Sequence, residues 1–245
     1  MSGKTGGRPH PSASQPPSPA RGEGESRSIR TFGRIKSRTI KPRQADLLET
    51  LLPRIALPET AFDPRALVPD ATEVWLEIGF GGGEHLAGRA AARPDVLFLG
   101  AEPFLNGVAS ALRHIEEAAL DNVRLHAGDA RELMARLPAA SLDRIFVLFP
   151  DPWPKARHHK RRLVGTEFIA EAARVMRPGG RLLFSTDWED YANWTLARFL
   201  ASPDFLWTAR AADDWRGAPA DHIPTRYEAK RLGDCAPLWL AFDRR

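Results

Sequence analysis

Residues 149–162 combine one carboxylate with a dense cluster of cationic side chains. Asp151 lies between two prolines and precedes Trp153, and five cations follow within eight residues: Lys155, Arg157, Lys160, Arg161 and Arg162. Such a carboxylate could take part in chemistry, and the cations could bind the phosphates of a polyanion. The alternative is a proline-stiffened loop with a solvated basic face, because runs of charge are commonly only surface.

The position of this segment in the chain favours the chemical interpretation. An apolar run over residues 142–149 leads into it and is typical of a buried parallel strand. Open α/β sheets bind their ligands outside the carboxyl ends of the strands. We therefore expect Asp151 to point into a ligand pocket.

A glycine-rich turn is the second candidate site. Glu77 precedes Gly79, Gly81 and Gly83 between an expected strand and an expected helix, where glycine permits close approach of a ligand to the backbone. A dinucleotide-binding turn would need glycine at position 84, but Glu84 adds negative charge where a pyrophosphate would bind, so NAD is disfavoured. The pattern suits S-adenosylmethionine, whose sulfonium and ammonium groups are cationic. Alternatively, the glycines serve only the turn.

Two more acids end neighbouring strands. Glu102 is placed to accept hydrogen bonds from ribose hydroxyls. Asp129 could accept one from an adenine amine, or could only cap the helix that follows it. Together with Glu77 and Asp151, they place an acid at the end of four successive strands, which favours a shared pocket.

The alternation of apolar runs predicts the elements that position these acids. It predicts strands at 74–78, 96–101, 123–128, 142–149 and 181–186, with helices at 83–93, 104–119, 130–137, 163–176 and 188–200. Two final strands, 205–212 and 238–243, have no predicted helix between them. We therefore predict an α/β protein with a mostly parallel sheet and a terminal antiparallel strand.

Composition and charge divide the chain into three regions. Residues 1–28 contain sixteen Gly, Pro or Ser residues and are predicted to be a disordered extension. Residues 29–70 are predicted to form a basic arm and a lead-in helix, 44–52, which ends at Pro53. Residues 71–245 are predicted to form the α/β domain. Residues 1–43 carry ten basic and two acidic residues, whereas the remainder carries 25 basic and 29 acidic, which indicates a localised polyanion site.

Composition also limits the class of protein. The single cysteine, Cys235, excludes an internal disulfide and a cysteine-based zinc site. The chain has no long apolar run and no apolar core of a signal peptide, so we expect a soluble cytoplasmic protein without membrane contact. His158 and His159 are adjacent and therefore poorly placed to share one metal ion, so we assign no metal.

Over residues 32–245 the chain resembles the bacterial tRNA (guanine-N7)-methyltransferases. The resemblance rests on six motifs: Glu77-Ile-Gly-Phe-Gly81, Glu102, Gly128-Asp-Ala130, residues 149–162, Ser185-Thr-Asp-Trp-Glu-Asp-Tyr191 and Thr225-Arg-Tyr-Glu228. Departures are confined to Pro154, the doubled His158-His159, Arg226 where lysine is common, and the first 28 residues. The resemblance implies the Rossmann-like fold of S-adenosylmethionine-dependent methyltransferases and, as substrate, a guanosine in the variable loop of tRNA.

The resemblance also implies a role for each site residue. The acids and glycines at Glu77, Gly79, Gly81, Gly83, Glu102, Asp129 and Asp151 are expected to surround the cofactor. The substrate guanosine is expected to contact Lys155, Asp187, Thr225, Arg226, Tyr227 and Glu228. RNA contacts are expected from Arg157, His158, Lys160, Arg161 and Arg162. Both a monomer and a homodimer are compatible with these roles.

The chemistry of guanine N7 suits this set of residues. The neutral base carries an in-plane lone pair at N7, so it can attack a sulfonium methyl group without first losing a proton. A carboxylate can stabilise the positive charge that moves toward the purine, and Asp151 is our candidate for this catalytic role. Asp187 or Glu228 would accept hydrogen bonds from guanine N1–H and the exocyclic amine.

Two other functions remain open from the sequence. The Asp151-Pro-Trp153 motif is similar to the motif of methyltransferases that modify exocyclic amines, although Trp153 replaces its second proline. The second is a non-catalytic tRNA-binding protein on a decayed methyltransferase fold. Retention of the glycine turn and its acids argues against decay.

Overall fold

The computed structural model describes residues 39–245, so the predictions for residues 1–28 and for most of the basic arm lie outside the described residues. The strands are β1 (Glu73–Ile78), β2 (Val96–Ala101), β3 (Val123–His126), β4 (Leu142–Leu148), β5 (Met176–Thr186), β6 (Phe205–Trp207) and β7 (Leu238–Arg244). The α-helices are α1 (Pro42–Thr50), α2 (Leu52–Ile55), α3 (Glu84–Ala92), α4 (Leu105–Glu117), α5 (Ala130–Arg136), α6 (Thr166–Val175), α7 (Glu189–Leu200) and α8 (Asp213–Arg216). Short 3₁₀ helices span Pro64–Ala66, Ala156–Arg161 and Glu228–Lys230.

The seven strands form one sheet in the order β3-β2-β1-β4-β5-β7-β6. β1 to β5 are parallel, and β7 runs antiparallel to both of its neighbours. This arrangement confirms the predicted mostly parallel sheet with a terminal antiparallel strand. The chain proceeds from β1 to β3 in one direction and then returns to β4 on the other side of β1. The crevice between β1 and β4 is thus the point where ligands bind in open α/β sheets.

Alternating side chains of the strands form two apolar cores, one on each face of the sheet. In β1, Val74 and Leu76 pack on the face that is covered by α5, α6 and α7. Trp75 packs on the opposite face with residues of α1, α3 and α4. Both faces are therefore covered, as expected for a parallel sheet.

Helix α4 illustrates how the sequence produces this packing. Val108, Ala111, Leu112 and Ile115 follow the i, i+3, i+4, i+7 spacing of one helix face, and all four are fully or almost fully buried. On the solvent side, Arg113 forms an ion pair with a glutamate one turn later. None of the helices within residues 39–245 has the length and apolarity to cross a membrane.

Two predictions about the carboxyl-terminal strands were wrong. The predicted strand 205–212 ends at Trp207, because the carboxylate of Asp214 accepts hydrogen bonds from the backbone N–H groups of Arg210 and Ala211 and turns the chain. The turn leads into α8, so a short helix does lie between β6 and β7.

Boundaries of several other elements also differ from the predictions. The predicted helix 163–176 begins only at Thr166, and Met176 already starts β5, whose register shifts opposite residues 142–144. Pro53 does not end the lead-in helix region, because it occupies the first turn of α2, where a missing N–H group is tolerated. β4 ends one residue early, because Phe149 has a left-handed φ of 51°.

Gly83 permits the close packing of the glycine turn against α4. Its φ is +81°, and a Cβ atom at this position would lie 2.5 Å from the Cβ atom of Ala111. We predict that Gly83→Ala lowers the free energy of unfolding by about 2–4 kcal/mol, from left-handed strain and overpacking combined. Chemical denaturation measures this loss.

Gly165→Ala is the matched control. Gly165 also precedes a helix, but its φ is −127° and a Cβ atom would contact nothing within 4 Å. Alanine is a poorer N-cap than glycine but restricts the unfolded chain, so the two effects should offset and change the free energy of unfolding by less than about 1 kcal/mol. Equal losses for the two variants would contradict the packing argument.

Candidate functional site

The strand register brings the predicted acids to one edge of the sheet. Ile78 of β1 lies beside Ala101 of β2 and Val147 of β4, and the other strands continue this row. The parallel strands therefore end together, and the residues that follow them meet at one edge. This edge carries five acids: Glu77, Glu102, Asp129, Asp151 and Asp187.

The glycine turn leaves bare backbone facing open space. Gly79 and Gly81 have φ values of 72° and 53°, which explains why residues with a side chain are disfavoured there. A Cβ atom on either glycine would meet no atom within 4 Å. A ligand can therefore approach the backbone of this turn closely, as the sequence predicts.

Glu102 holds the glycine turn in place. Its two carboxylate oxygens accept hydrogen bonds from the backbone N–H groups of Gly81 and Phe104, each at 2.8 Å. Burial raises the pKa of Glu102, the two backbone hydrogen bonds oppose this, and the negative charges of Asp151 and Glu77 raise the pKa further. The three carboxylates therefore share one electrostatic environment, which attracts a cationic ligand.

The backbone around Asp151 is constrained on both sides. Phe149 and Trp153 have left-handed φ values of 51° and 45°, which residues with side chains rarely adopt. Desolvation by the surrounding protein raises the pKa of Asp151, although its side chain is open to solvent. Within the described residues, no hydrogen bond or ion pair engages the carboxylate. Such strain concentrates at functional sites, and this carboxylate is available to a ligand.

Asp129 caps the amino end of α5. It accepts a hydrogen bond from the backbone N–H group of Arg131 at 2.9 Å and pairs with the guanidinium group of the same residue. One of the two interpretations from the sequence, the helix cap, is therefore present. The adenine contact remains a prediction.

The basic segment divides into exposed and packed cations. Lys155, Arg157 and Lys160 are exposed around the 3₁₀ helix Ala156–Arg161. The guanidinium group of Arg161 instead lies 4.9 Å from the ring centre of Trp153. Desolvation and then the surrounding cations lower the pKa of His158, so this residue adds no charge near neutral pH.

Arg162 does not belong to the phosphate-binding surface that the sequence suggests. Its side chain is 1% exposed and pairs with Asp190 of α7. It also donates a hydrogen bond to the carbonyl of Pro152 at 2.8 Å and stacks against Tyr191 and Trp194. Arg162 therefore anchors the basic segment to the domain, because a guanidinium group that is buried between Pro152 and α7 is inaccessible to RNA.

The segment over residues 221–228 packs along one face of α3. Arg89 binds the backbone carbonyl of Asp221 at 2.7 Å, and Glu84 forms an ion pair with Arg226. Four residues of α3 in these contacts were not predicted from the sequence: Glu84, His85, Gly88 and Arg89. Their i, i+1, i+4, i+5 spacing, which places them on one helix face, was the available signal.

The two acids that are expected to contact guanine are Asp187, which follows β5, and Glu228, which begins the last 3₁₀ helix. Asp187 accepts hydrogen bonds from the backbone N–H group of Gly233 at 2.9 Å and from the Tyr227 hydroxyl group at 3.3 Å. Glu228 accepts one from the backbone N–H group of Thr225 at 2.8 Å. Each of the two carboxylates keeps lone pairs that can accept further hydrogen bonds.

The described part of the chain contains no group of three His, Cys, Asp or Glu side chains that could hold a metal ion. The residues present do fit a cationic nucleoside such as S-adenosylmethionine. Bare backbone at Gly79 and Gly81 offers space, and the carboxylates of Glu77, Glu102 and Asp151 offer negative charge.

Comparison with known proteins points to one family. A family model described as "Putative methyltransferase" matches residues 71–239. A tRNA (guanine-N(7)-)-methyltransferase of Caulobacter sp. strain K31 is 62% identical, over 88% of this chain and 95% of the relative. Enzymes of the same name from Hyphomonas neptunium and Rhodospirillum rubrum are 51% and 45% identical, over 87% and 88% of this chain and 99% and 88% of their own.

A solved structure shows a similar fold at lower identity. The crystal structure of TrmN from Thermus thermophilus matches 74% of this chain and 48% of its own, with a TM-score of 0.50 and 18% identity. At this identity the match supports the architecture of the sheet and its helices.

The packing of Arg162 predicts a loss of stability on its removal. We expect Arg162→Met to lower the free energy of unfolding by about 2–3 kcal/mol, because the hydrogen bonds to Pro152 and Asp190 are lost. Lys160→Met, at an exposed position in the same segment, should leave it unchanged within about 0.5 kcal/mol. Urea denaturation of both variants measures the difference, and equal stability would contradict the anchoring role.

Proposed function

Since this chain belongs to the bacterial tRNA (guanine-N7)-methyltransferases, we propose that the acidic edge of its sheet binds S-adenosylmethionine and presents it to a guanosine of the tRNA variable loop. The enzyme transfers a methyl group to N7 of guanosine in tRNA. The observation that carries the proposed site is the meeting of Glu77, Glu102 and Asp151 beside a bare glycine turn.

The cofactor site uses both backbone and carboxylates. Each oxygen of Glu102 keeps a lone pair beyond its hydrogen bond with the backbone. The two oxygens can therefore accept hydrogen bonds from both ribose hydroxyl groups. Gly79 and Gly81 allow the cofactor to lie against the turn. Asp129 is the remaining candidate for the adenine amine, because helix capping occupies only part of its acceptor capacity.

S-adenosylmethionine, when bound, supplies a methyl group activated by its sulfonium. The protein needs no strong base, because N7 of neutral guanine carries a free lone pair. Asp151 is our candidate for the carboxylate that stabilises the cationic transition state, and the absence of a protein partner within residues 39–245 supports this role. The left-handed residues on either side would hold its backbone in position.

Guanosine recognition is assigned to the region formed by Asp187, Tyr227 and Glu228. Acids there can accept hydrogen bonds from guanine N1–H and the exocyclic amine, whereas adenine presents an acceptor at N1. Tyr227 packs at 5.4 Å from Phe149, beside Asp151, so this region adjoins the proposed site of methyl transfer. Thr225 and Lys155 complete the proposed set, while Arg226 is engaged by Glu84 and Ser110.

The exposed cations of the basic segment are proposed to bind the tRNA backbone. Lys155, Arg157 and Lys160 follow the proposed catalytic acid directly in the chain. Phosphate contacts there would orient the tRNA so that an unstacked guanosine reaches the cofactor. His158 and Arg161, beside them, would add hydrogen bonds or packing against the RNA.

Purified protein, labelled S-adenosylmethionine and unmodified tRNA test the proposal directly. Nucleoside analysis should recover the label in N7-methylguanosine, a cationic nucleoside that is labile in alkali. Label in N6-methyladenosine would instead support the exocyclic-amine alternative. No label with any tRNA would support a non-catalytic binding protein.

The proposed role of Asp151 predicts a large effect of Asp151→Asn. The amide keeps the shape and removes the charge, so single-turnover rates at saturating cofactor and tRNA should fall at least 100-fold, equivalent to about 2.7 kcal/mol of barrier. Thermal unfolding and tRNA affinity should remain unchanged, because the carboxylate makes no hydrogen bond or ion pair within residues 39–245 that the substitution would remove. Near-normal rates would reject the assignment.

The exposed cations predict a change in salt dependence. Replacing Lys155, Arg157 and Lys160 with glutamine should lower the slope of log affinity against log salt by about 2–3 units, if each contacts one phosphate. Cofactor affinity should not change. Arg181→Gln is the control, because Arg181 is exposed in the middle of β5, five residues before the end of the strand at the site. Weaker binding with an unchanged slope would contradict the phosphate contacts.

A further inference from the structure

A buried histidine within residues 221–228 contacts Glu228, an acid that is proposed to bind guanosine. His222 has a side-chain exposure of 4%, and its Nε2 atom lies 3.0 Å and 2.9 Å from the two carboxylate oxygens of Glu228. The ring is stacked on His85 at 5.6 Å and packs at 4.4 Å against Trp239. Two aromatic neighbours therefore hold the imidazole in one orientation, and one nitrogen points at Glu228.

The second ring nitrogen of His222, Nδ1, destabilises the fold. Within residues 39–245, Nδ1 is buried and has no hydrogen-bond partner. A buried polar atom without a partner destabilises a protein, and a phenylalanine ring would fill the same space without this cost. Packing alone therefore does not explain histidine here, whereas the donor that Nε2 presents to Glu228 does.

The protonation of His222 is consistent with a single donor. Burial lowers the pKa of His222. The negative charges of Glu228 and Glu77 raise this pKa, and the facing His85 ring lowers it. The neutral ring carries one N–H group, which belongs on Nε2 because this atom faces a carboxylate. Nδ1 is then the unprotonated nitrogen.

Glu228 needs such support because of where it lies. It begins a 3₁₀ helix of only three residues, and its long side chain has several rotamers. The backbone N–H group of Thr225 binds only one of its oxygens. Contact of His222 with both oxygens orients the plane of the carboxylate, which determines the direction of its remaining lone pairs.

We infer that His222 is a positioning residue that presents the carboxylate of Glu228 to the guanine of the tRNA. The inference rests on the proposed role of Glu228 in guanosine recognition. His222 does not contact the reacting atoms. It fixes an acceptor whose direction selects guanine, and it is itself held by its stacking on α3 through His85.

A double-mutant cycle on kcat/KM for tRNA tests this inference. Glu228→Gln should lower kcat/KM, and His222→Phe should lower it about tenfold through misplacement of Glu228. The double variant should be no slower than Glu228→Gln alone, because His222 has nothing left to position. Additive losses would overturn the inference and indicate a separate structural role.

Two further measurements separate positioning from packing. His222→Phe keeps the ring and removes the unpaired nitrogen, so its melting temperature and its affinity for S-adenosylhomocysteine should not fall. His222→Gln, which retains an amide N–H donor near Nε2, should recover most of the lost kcat/KM. A fully active Phe variant, or a Gln variant no better than Phe, would overturn the inference.

The cycle also distinguishes a failure of the inference from a failure of the proposed function. If Glu228→Gln leaves kcat/KM unchanged, the proposed role of Glu228 is wrong and the inference falls with it. If Glu228→Gln is slow but His222→Phe is not, guanosine recognition by Glu228 stands and the positioning role of His222 is overturned.

Discussion

The hydrogen bonds of Glu102 to the backbone hold the two loops of the sheet edge together. One carboxylate oxygen binds Gly81 in the turn after β1, and the other binds Phe104 before α4. These bonds favour the ionised form, while burial and the nearby charges of Asp151 and Glu77 oppose it. Backbone N–H groups thus stabilise the ionised form of Glu102 beside two other acids, and the negative charge of the three together can attract a cationic ligand.

The acidic sheet edge and the basic segment differ in how far their side chains are buried. Four of the five acids of the sheet edge are buried and fixed by hydrogen bonds, as Glu77 and Glu102 illustrate, whereas Asp151 is exposed. Three cations of the basic segment are exposed, and Arg162 anchors that segment in the domain. A small cationic cofactor requires a shaped, desolvated pocket, whereas phosphates on a large RNA can be bound from a solvated surface.

Residues 221–228 join the proposed cofactor and guanosine sites through α3. Glu84, at the first turn of this helix, pairs with Arg226, while Arg89 at the other end binds Asp221. His85 lies between them, hydrogen bonded to Glu77 at 2.8 Å and stacked on His222. One helix thus contacts both the acid proposed to bind cofactor and the segment proposed to contact guanosine.

The sequence by itself determined the architecture and the candidate acids. Apolar runs predicted β2 with its exact bounds, and the alternation of strands and helices predicted a parallel sheet, because both signals depend on local periodicity. In a parallel sheet, residues that follow successive strands must meet at one edge, so Glu102 and Asp151 could be assigned to one site from their positions alone. The glycine turn was also predictable, because positive φ values at Gly79 and Gly81 require that residue.

Only the tertiary structure decided which of these side chains are available. Arg162 and Lys160 are two residues apart and both cationic, yet one is buried against α7 and the other is exposed. The short helix α8 arises from hydrogen bonds of the Asp214 side chain to the backbone, which apolar periodicity does not reveal. The contact of His222 with Glu228 on one side and His85 on the other joins residues 137 positions apart. Such long-range contacts depend on how the segments pack, and a pattern of nearby residues in the chain carries no information about them.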